Sequence, residues 1–280
     1  MSLLVVRAPL GSVRIEVAEP GLAASFERLW LPALGGGGAP LRNYRLDASG
    51  EAWSDDRRLE FEGSLLERAA ALQAHILADF VELHGSGSDS NSPPNNTLLH
   101  AAGFVLAGRL FVLVGDSGAG KSSFSREALR RGAEYLSDDV LMVGAGQMHG
   151  MARTVQFDGC ERSAVPEHFR DCELVPWARP RSWGLPPLDD FVIPIWPGPH
   201  ATRESFSLGE GAVVVRLRHC STCEVAAVNE LSSLERLAEL HGASFSVGRD
   251  YDGSLGYGPT FEVAWTEPSA SWDELLRRLA

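Results

Sequence analysis

The stretch at residues 115–122 limits what this chain can fold into more than any other part of it. It consists of Gly115, Asp116, Ser117, Gly118, Ala119, Gly120, Lys121 and Ser122. The apolar run at 110–114 before it predicts a strand, and the pattern at 123–131 after it predicts a helix that stops at Gly132. The order G-x-x-x-x-G-K-S between a strand and a helix is the pattern of a phosphate-binding P-loop.

The chemistry of phosphate binding explains the order of residues in this loop. Glycines let backbone N–H groups curve around phosphate oxygens, and the N-terminus of the following helix adds a partial positive charge. Lys121 is expected to reach the β- and γ-phosphates, and the Ser122 hydroxyl is expected to ligate Mg²⁺. Together with Ser123, residues 115–122 form the predicted nucleotide site.

The distribution of basic residues supports this interpretation. The chain has 25 basic residues, of which Lys121 is the one lysine and the others are arginine. A compact ammonium group on a flexible stem is not replaced by a planar guanidinium in a loop that wraps around a phosphate. A plain glycine-rich turn is the alternative, and the retained lysine favours a nucleoside triphosphate site.

Composition argues against several other classes of function. The 280 residues carry a formal net charge of −12, so no basic face for nucleic acid is expected. No apolar run is long enough for a membrane span, and the first residues lack the basic region of a signal peptide. We therefore expect a cytoplasmic protein that contacts no membrane.

The four cysteines allow two interpretations. Cys220 and Cys223 form a C-x-x-C pair that, with Cys160 and Cys172, has the ligand types of a zinc site. A single C-x-x-C is a weak signal, so ordinary reduced cysteines are favoured over zinc. Disulfides are not expected in a reducing compartment.

Turn-forming residues divide the chain. The run at 85–97 is rich in Gly, Ser, Pro and Asn, which predicts a linker between an N-terminal module, 1–92, and a core, 93–280. In the module, periodicity predicts strands at 3–6, 13–17, 42–46 and 58–61 and helices at 22–34 and 63–83. Outside the loop region, the core is predicted to have strands at 98–106, 133–136, 140–143, 154–157, 212–217, 225–228 and 261–265 and helices at 231–241 and 271–279, the last capped by Ser269 or Ser271.

Two carboxylates directly follow the predicted strand at 133–136. Asp138 and Asp139 would lie at the carboxyl edge of the sheet, where ligands of α/β proteins bind. One carboxylate of such a pair can hold Mg²⁺ while the other accepts the proton of an attacking hydroxyl. A solvated acidic turn is the alternative. His100 lies in the predicted strand at 98–106, in an otherwise apolar run. Taken alone, it is read as a buried, hydrogen-bonded histidine with a structural role.

These features together resemble the bacterial HPr kinase/phosphorylase family, and more narrowly the HPr-kinase-like proteins of peptide-modification gene clusters. The family carries a histidine 21 residues before the P-loop lysine and an Asp pair 17 and 18 residues after it. Here His100 precedes Lys121 by 21 residues, and Asp138 and Asp139 follow it by 17 and 18. The resemblance covers residues 98–143, and within this range Arg131-Gly132 is a further matching feature.

The resemblance implies an α/β fold with the P-loop core of HPr kinase and phosphoenolpyruvate carboxykinase and a smaller N-terminal α+β module. It implies that Asp139 accepts the proton of a serine hydroxyl, that His100 assists at the phosphate and that Lys121 stabilises the transferring charge. Ser122 would ligate Mg²⁺. Asp138, of the carboxylate pair, is the other predicted metal ligand. The family resemblance also suggests a homo-oligomer.

The favoured hypothesis is an ATP- and Mg²⁺-dependent kinase that phosphorylates a hydroxyl of a protein or peptide, with a small molecule as the alternative acceptor. Arginines of the 158–199 segment, and Arg216 or Arg218, are candidates to neutralise the γ-phosphate or hold an acidic acceptor. A regulatory protein that binds ATP without appreciable hydrolysis is the second hypothesis. The Asp pair favours the kinase, because a binding protein needs no hydroxyl-directed base.

Overall fold

A computed structural model shows a mixed α/β protein with several sheets. The structure describes residues 1–280 except 9–10, 31–34, 36–39, 86–96, 117, 151–173, 178–190, 195–204, 221–226, 245–254 and 256–257. Contacts divide the chain into two compact units, residues 1–82 with 153–198 and residues 83–152 with 199–280. The predicted module boundary at 92–93 stays a prediction. No helix in the described part of the chain is both long and apolar enough to cross a membrane.

The strands, numbered along the chain, are β1 (Ser2–Ala8), β2 (Gly11–Val17), β3 (Arg42–Leu46), β4 (Ala52–Ser54), β5 (Arg57–Leu59), β6 (Thr97–His100), β7 (Ala102–Leu106), β8 (Arg109–Val114), β9 (Glu134–Ser137), β10 (Val140–Gly144), β11 (Gln147–Gly150), β12 (Leu174–Trp177), β13 (Phe191–Pro194), β14 (Ser205–Ser207), β15 (Ala212–His219), β16 (Ala227–Glu230) and β17 (Thr260–Trp265). The helices are α1 (Pro20–Leu29), α2 (Leu65–Gly85), α3 (Lys121–Arg130), α4 (Ser233–Gly242) and α5 (Pro268–Leu279).

The first unit contains a five-stranded sheet in the order β1-β2-β3-β4-β5. Strands β1 and β2 are antiparallel, and α1 connects β2 to its parallel neighbour β3. The polar composition around residues 47–56 predicts a loop between two strands, yet β4 forms there. Its pairing with β3 and β5 outweighs the local propensity. The β12–β13 hairpin also lies in this unit.

A buried carboxylate organises the interior of this unit. Asp79 is buried, and its Oδ2 accepts a hydrogen bond from the Tyr44 hydroxyl at 3.0 Å. Arg42 and His75 place side-chain nitrogens 3.4 Å from the same oxygen, and the Ser54 hydroxyl lies at 3.5 Å. A buried carboxylate is stable only when donors or cations surround it, so this network ties β3 and β4 to α2.

Tyr44 makes the stability of this unit depend on pH in the alkaline range. Burial, followed by the adjacent Asp79 carboxylate, raises the pKa of the Tyr44 hydroxyl well above its ordinary value. Because the folded-state pKa is raised, the stabilisation is fully present below the unfolded pKa of about 10 and is lost as pH rises above it. Tyr44→Phe should flatten this loss and cost about 2 kcal/mol at neutral pH, because the lost hydrogen bond is made to a buried carboxylate. Urea unfolding at pH 7 to 11 measures both effects, and parallel alkaline losses in the two proteins would contradict the assignment.

The second unit is built on a six-stranded sheet in the order β16-β17-β15-β8-β7-β9. Strand β15 is parallel to both of its neighbours, β8 and β17, so the carboxyl ends of these three strands meet at one edge. Helices α3 and α5 contribute to the core on one face of the sheet, and α4 and parts of a second sheet contribute to the core on the other. Both faces of β8 are therefore buried, which explains its uninterrupted apolar sequence.

The second sheet has the order β14-β11-β10-β6 and corrects two sequence-based predictions. The single strand predicted at 98–106 is two strands, because the chain leaves one sheet after β6 and enters the other as β7. At the switch, the Ala101 N–H donates to the Asp139 carbonyl at 3.1 Å. The strands predicted at 140–143 and 154–157 suggest a hairpin with its turn at 144–147. In the structure the hairpin partner of β10 is instead β11, at Gln147–Gly150, and the two-residue turn Ala145-Gly146 closes the hairpin; residues 154–157 lie outside the described residues.

Helix boundaries and cysteines give further corrections. Helix α5 begins at Pro268 with Glu267 as N-cap, earlier than the predicted start at 271, because proline fits the first turn of a helix. The expectation of reduced thiols is wrong for Cys220, which is disulfide-bonded. That expectation depended on an assumed reducing compartment. The other cysteines lie outside the described residues, as do residues 86–96 of the linker predicted at 85–97; its end residues belong to α2 and β6.

Candidate functional site

The glycine-rich loop begins where β8 ends and leads directly into α3, so the strand and helix predicted on either side of it are present. Gly115 and Gly120 have φ angles of 147° and 99°, in the region that favours glycine. Both also lack space for a side chain. A Cβ at Gly115 would lie 2.8 Å from the Leu217 carbonyl oxygen of β15, and a Cβ at Gly120 would collide with the indole of Trp265. The backbone of the loop therefore packs directly against β15 and β17.

Lys121 is the first residue of α3, and its side chain turns back into the loop. It is 8% exposed, and its Nζ donates to the Gly115 carbonyl at 2.7 Å and more weakly to the Asp116 carbonyl at 3.4 Å. Burial lowers the pKa of the Lys121 ammonium, while the carboxylates of Asp139, Asp116 and Asp138 act in the opposite direction. The loop and the Asp pair, distant in sequence, are thus brought into one electrostatic environment.

The Asp pair occupies the turn between β9 and β10. The Ser137 hydroxyl accepts hydrogen bonds from the backbone N–H groups of Asp139 and Val140, at 3.4 and 3.3 Å, and so stabilises this turn. The two carboxylates differ in exposure. Asp138 is 6% exposed, whereas the Asp139 side chain retains 34% of its exposure. A partner molecule therefore has access to Asp139.

His100 lies beside Asp139 because two strands meet there. His100 ends β6 and pairs with Val140 of β10, the residue that follows Asp139. Its Nε2 lies 3.3 Å from Asp139 Oδ1, and its side chain is 42% exposed. The buried structural role given as an alternative for His100 therefore does not describe it, since this imidazole is partly exposed beside a carboxylate.

The remaining predicted residues lie in or near the loop. Ser122 and Ser123 are half-buried in the first turn of α3, and the Ser123 hydroxyl is 3.0 Å from the Nη2 of Arg126, from which it accepts a hydrogen bond. Asp116 is exposed, and Ser117 lies outside the described residues. Within the described ranges, no three His, Cys, Asp or Glu side chains cluster as a metal site.

The arginines suggested as phosphate ligands have carboxylate partners near the carboxyl end of β15. Arg216 Nη1 lies 3.0 Å from Glu239 and 3.5 Å from Glu262, and Arg218 Nη2 lies 3.6 Å from Glu262. These carboxylates partly neutralise both guanidinium groups. The arginines of the 158–199 segment lie outside the described residues.

Sequence reasoning missed one residue of the site, Trp265 at the end of β17. Its Nε1 donates to the Ala119 carbonyl at 2.8 Å, and its ring lies edge-on to Phe124 at 5.3 Å between centroids. Ala119 and Trp265 are 146 positions apart in the sequence, and no local pattern signals this contact. The parallel pairing of β15 with β8 and β17 creates it, and that pairing was not predicted.

Comparisons with known proteins add little to this geometry. No family model and no curated protein matches the chain. Among solved structures, the chain is similar to the HPr(Ser) kinase/phosphatase from Coxiella burnetii, with 14% sequence identity over 65% of this chain and 94% of that chain and a TM-score of 0.33. A likeness with a TM-score below 0.5 is too distant to assign a function, which therefore depends on the site itself.

Proposed function

We propose that this protein is an ATP- and Mg²⁺-dependent kinase that transfers the γ-phosphate to a hydroxyl, namely a serine of a protein or peptide, with a small molecule as the alternative acceptor. One observation carries the proposal. A buried lysine closes a glycine-rich loop at a helix N-terminus, and an accessible carboxylate that acts on this lysine is paired with a histidine. These are the groups needed to hold a triphosphate and to take a proton from its acceptor.

In this proposal the loop holds the phosphates through its backbone. Backbone N–H groups at the start of α3 and the helix dipole favour an anion there. The Lys121 ammonium donates to two loop carbonyls. One or both of these contacts are given up when the ammonium turns to the β- and γ-phosphate oxygens. The cost of burying this charge is met when a polyanion replaces neutral carbonyls around it.

Asp139 acts as the base. The Nε2 of His100 lies 3.3 Å from Asp139 Oδ1, close enough for the imidazole to orient the carboxylate, which accepts the proton of the acceptor hydroxyl. The hydroxyl oxygen forms the new bond to the γ-phosphorus while the bond to the bridging β–γ oxygen breaks and ADP leaves. The partial exposure of Asp139 lets the accepted proton pass to solvent.

The donors present fit a magnesium ion. Mg²⁺ prefers oxygen ligands and is usually held by one or two carboxylates together with substrate phosphates and water. The Ser122 hydroxyl and the Asp138 carboxylate are the residues that would hold it. Asp138 is buried, and it is one of the three carboxylates that act on Lys121. Bound Mg²⁺ would neutralise charge on the phosphates during transfer.

The alternative is a nucleotide-binding regulatory protein that does not transfer phosphate. Such a protein needs the loop and Lys121, and it has no use for an accessible carboxylate oriented by an imidazole. The contact between His100 and Asp139 therefore favours the kinase.

Incubation with γ-labelled ATP and Mg²⁺ tests the proposal. Serine-containing peptides, including those encoded near this protein's own gene, serve as acceptors, and small hydroxyl compounds serve as the second set. Label in an acceptor that is lost with Asp139→Asn supports the kinase. Bound ATP with no label outside free phosphate favours the regulatory protein, and failure to bind ATP would refute both.

A further inference from the structure

Two tryptophans near the end of the chain donate their indole N–H groups to backbone carbonyls around Lys121. Trp265 Nε1 donates to the Ala119 carbonyl at 2.8 Å, and Trp272 Nε1 donates to the Phe124 carbonyl at 3.1 Å. The acceptors differ in kind. Phe124 lies within α3, whose own hydrogen bonds already fix its backbone, whereas Ala119 lies in the loop, where its N–H donates to the Asp116 carbonyl at 3.0 Å and its own carbonyl accepts from the indole.

The hydrogen bond from Trp265 determines the direction of one loop amide. The Ala119–Gly120 peptide bond is trans, so its C=O and N–H groups point in opposite directions. With the Ala119 carbonyl held by the indole, the Gly120 N–H must point away from Trp265. Backbone N–H groups that converge in such a loop are the donors that bind phosphate oxygens.

The indole ring also prevents this peptide from turning over. The loop backbone at Gly120 rests on the six-membered part of the ring, where a Cβ would collide with Cζ2. The ring is itself fixed, since it is 7% exposed and packs edge-on against Phe124 and against His219 at 4.9 Å. Trp265 thus holds the loop backbone both by a hydrogen bond and by the packing of its fixed ring.

We propose that Trp265 is a positioning residue of the nucleotide site, which orients the Ala119–Gly120 peptide so that the Gly120 N–H is presented to a phosphate. This inference rests on the proposed function for its ligand. The orientation of the Ala119–Gly120 peptide can itself be measured without any ligand. Trp265 touches the loop backbone and acts on the phosphate through it.

Three substitutions separate the hydrogen bond from simple packing. Trp265→Phe keeps an aromatic ring and removes the N–H. Trp265→His retains a ring N–H at the place of the indole Nε1 and removes the six-membered ring. Trp272→Phe removes the other indole N–H from the same aromatic cluster and serves as the matched control.

Binding of ATP and of inorganic triphosphate is measured by calorimetry, and hydrogen–deuterium exchange of the loop peptide is measured in the proteins without ligand. Trp265→Phe should weaken the binding of both ligands about tenfold, as expected for one lost hydrogen bond. It should also speed hydrogen–deuterium exchange in the loop. Trp265→His should bind within about threefold of the wild type although it buries less apolar surface and melts lower. Trp272→Phe should lower the melting temperature without changing the loop exchange or either dissociation constant.

Several outcomes would overturn the inference. Equal binding by the wild type and a folded Trp265→Phe would do so, as would equal losses in Trp265→Phe and Trp272→Phe. If only ATP binding were weakened, Trp265 would act on the adenosine part of ATP rather than on its phosphates. Should Trp265→Phe not fold, a folded Trp265→His that binds tenfold more weakly would also refute it. A wild-type protein that binds neither ligand would refute the proposed function itself, whatever the exchange data show.

Discussion

Lys121→Ala is expected to lower phosphoryl transfer by about a hundredfold or more without lowering the melting temperature. The ammonium donates to the Gly115 carbonyl of the loop and would stabilise charge on the transferring phosphate. Removing one preorganised donor of this kind lowers the rate by about a hundredfold to a thousandfold. The same ammonium is buried, and its lowered pKa shows that burial disfavours its charge. Removing the ammonium therefore removes the free-energy cost of burying its charge in the folded protein, while it lowers phosphoryl transfer.

Two further variants identify what the lysine contributes. Lys121→Arg keeps the charge but replaces a compact ammonium with a planar group, and we expect it to be as inactive as Lys121→Ala. Arg130→Ala removes an exposed cation of the same helix, paired with Glu127, and should leave kcat and KM unchanged. Steady-state kinetics and thermal melts measure both quantities. Normal turnover of Lys121→Ala would rule out the P-loop assignment.

Asp139→Asn is expected to lower kcat by about a hundredfold to ten-thousandfold, while the dissociation constant for ATP changes by no more than about threefold. The amide keeps the size of the side chain and its contact with His100, but it no longer accepts the proton of a hydroxyl. Because the acceptor, rather than ATP, needs this base, the loss should appear in transfer and not in nucleotide binding.

Asp273→Asn is the matched control for this substitution. Asp273 is an exposed carboxylate of α5 that pairs with Arg131, and its loss should leave transfer unchanged. Calorimetry gives ATP binding and label transfer gives kcat. If Asp139→Asn weakened ATP binding and transfer by the same factor, Asp139 would be a nucleotide ligand and the assignment of a base would be wrong.

Local pattern was sufficient to locate the candidate site. The loop follows a buried strand and precedes a helix, and the spacing of His100, Lys121 and Asp139 placed three groups that the fold brings together. The strand and the helix on either side of the loop are confirmed, because each is a short segment with its own periodicity. The chemistry assigned to these residues stays a proposal.

The features that sequence did not predict depend on long-range pairing. The apolar run at 98–106 has the pattern of one strand, yet it supplies β6 to one sheet and β7 to another, and periodicity carries no information on which sheet a strand joins. The Trp265 contact depends on β15 lying between β8 and β17. The disulfide of Cys220 depends on geometry that cysteine spacing alone does not determine.

The position of β15 between β8 and β17 has a consequence for how the protein forms during translation. Trp265 is added 146 residues after Ala119, which at usual rates of synthesis is roughly 7 to 30 s later. Strand β8 emerges long before β15, its neighbour on one side, has been made. During synthesis, the apolar strand β8 therefore stays unpaired on one side until β15 is made. The glycine-rich loop takes its final shape only after β17 has also formed, late in folding.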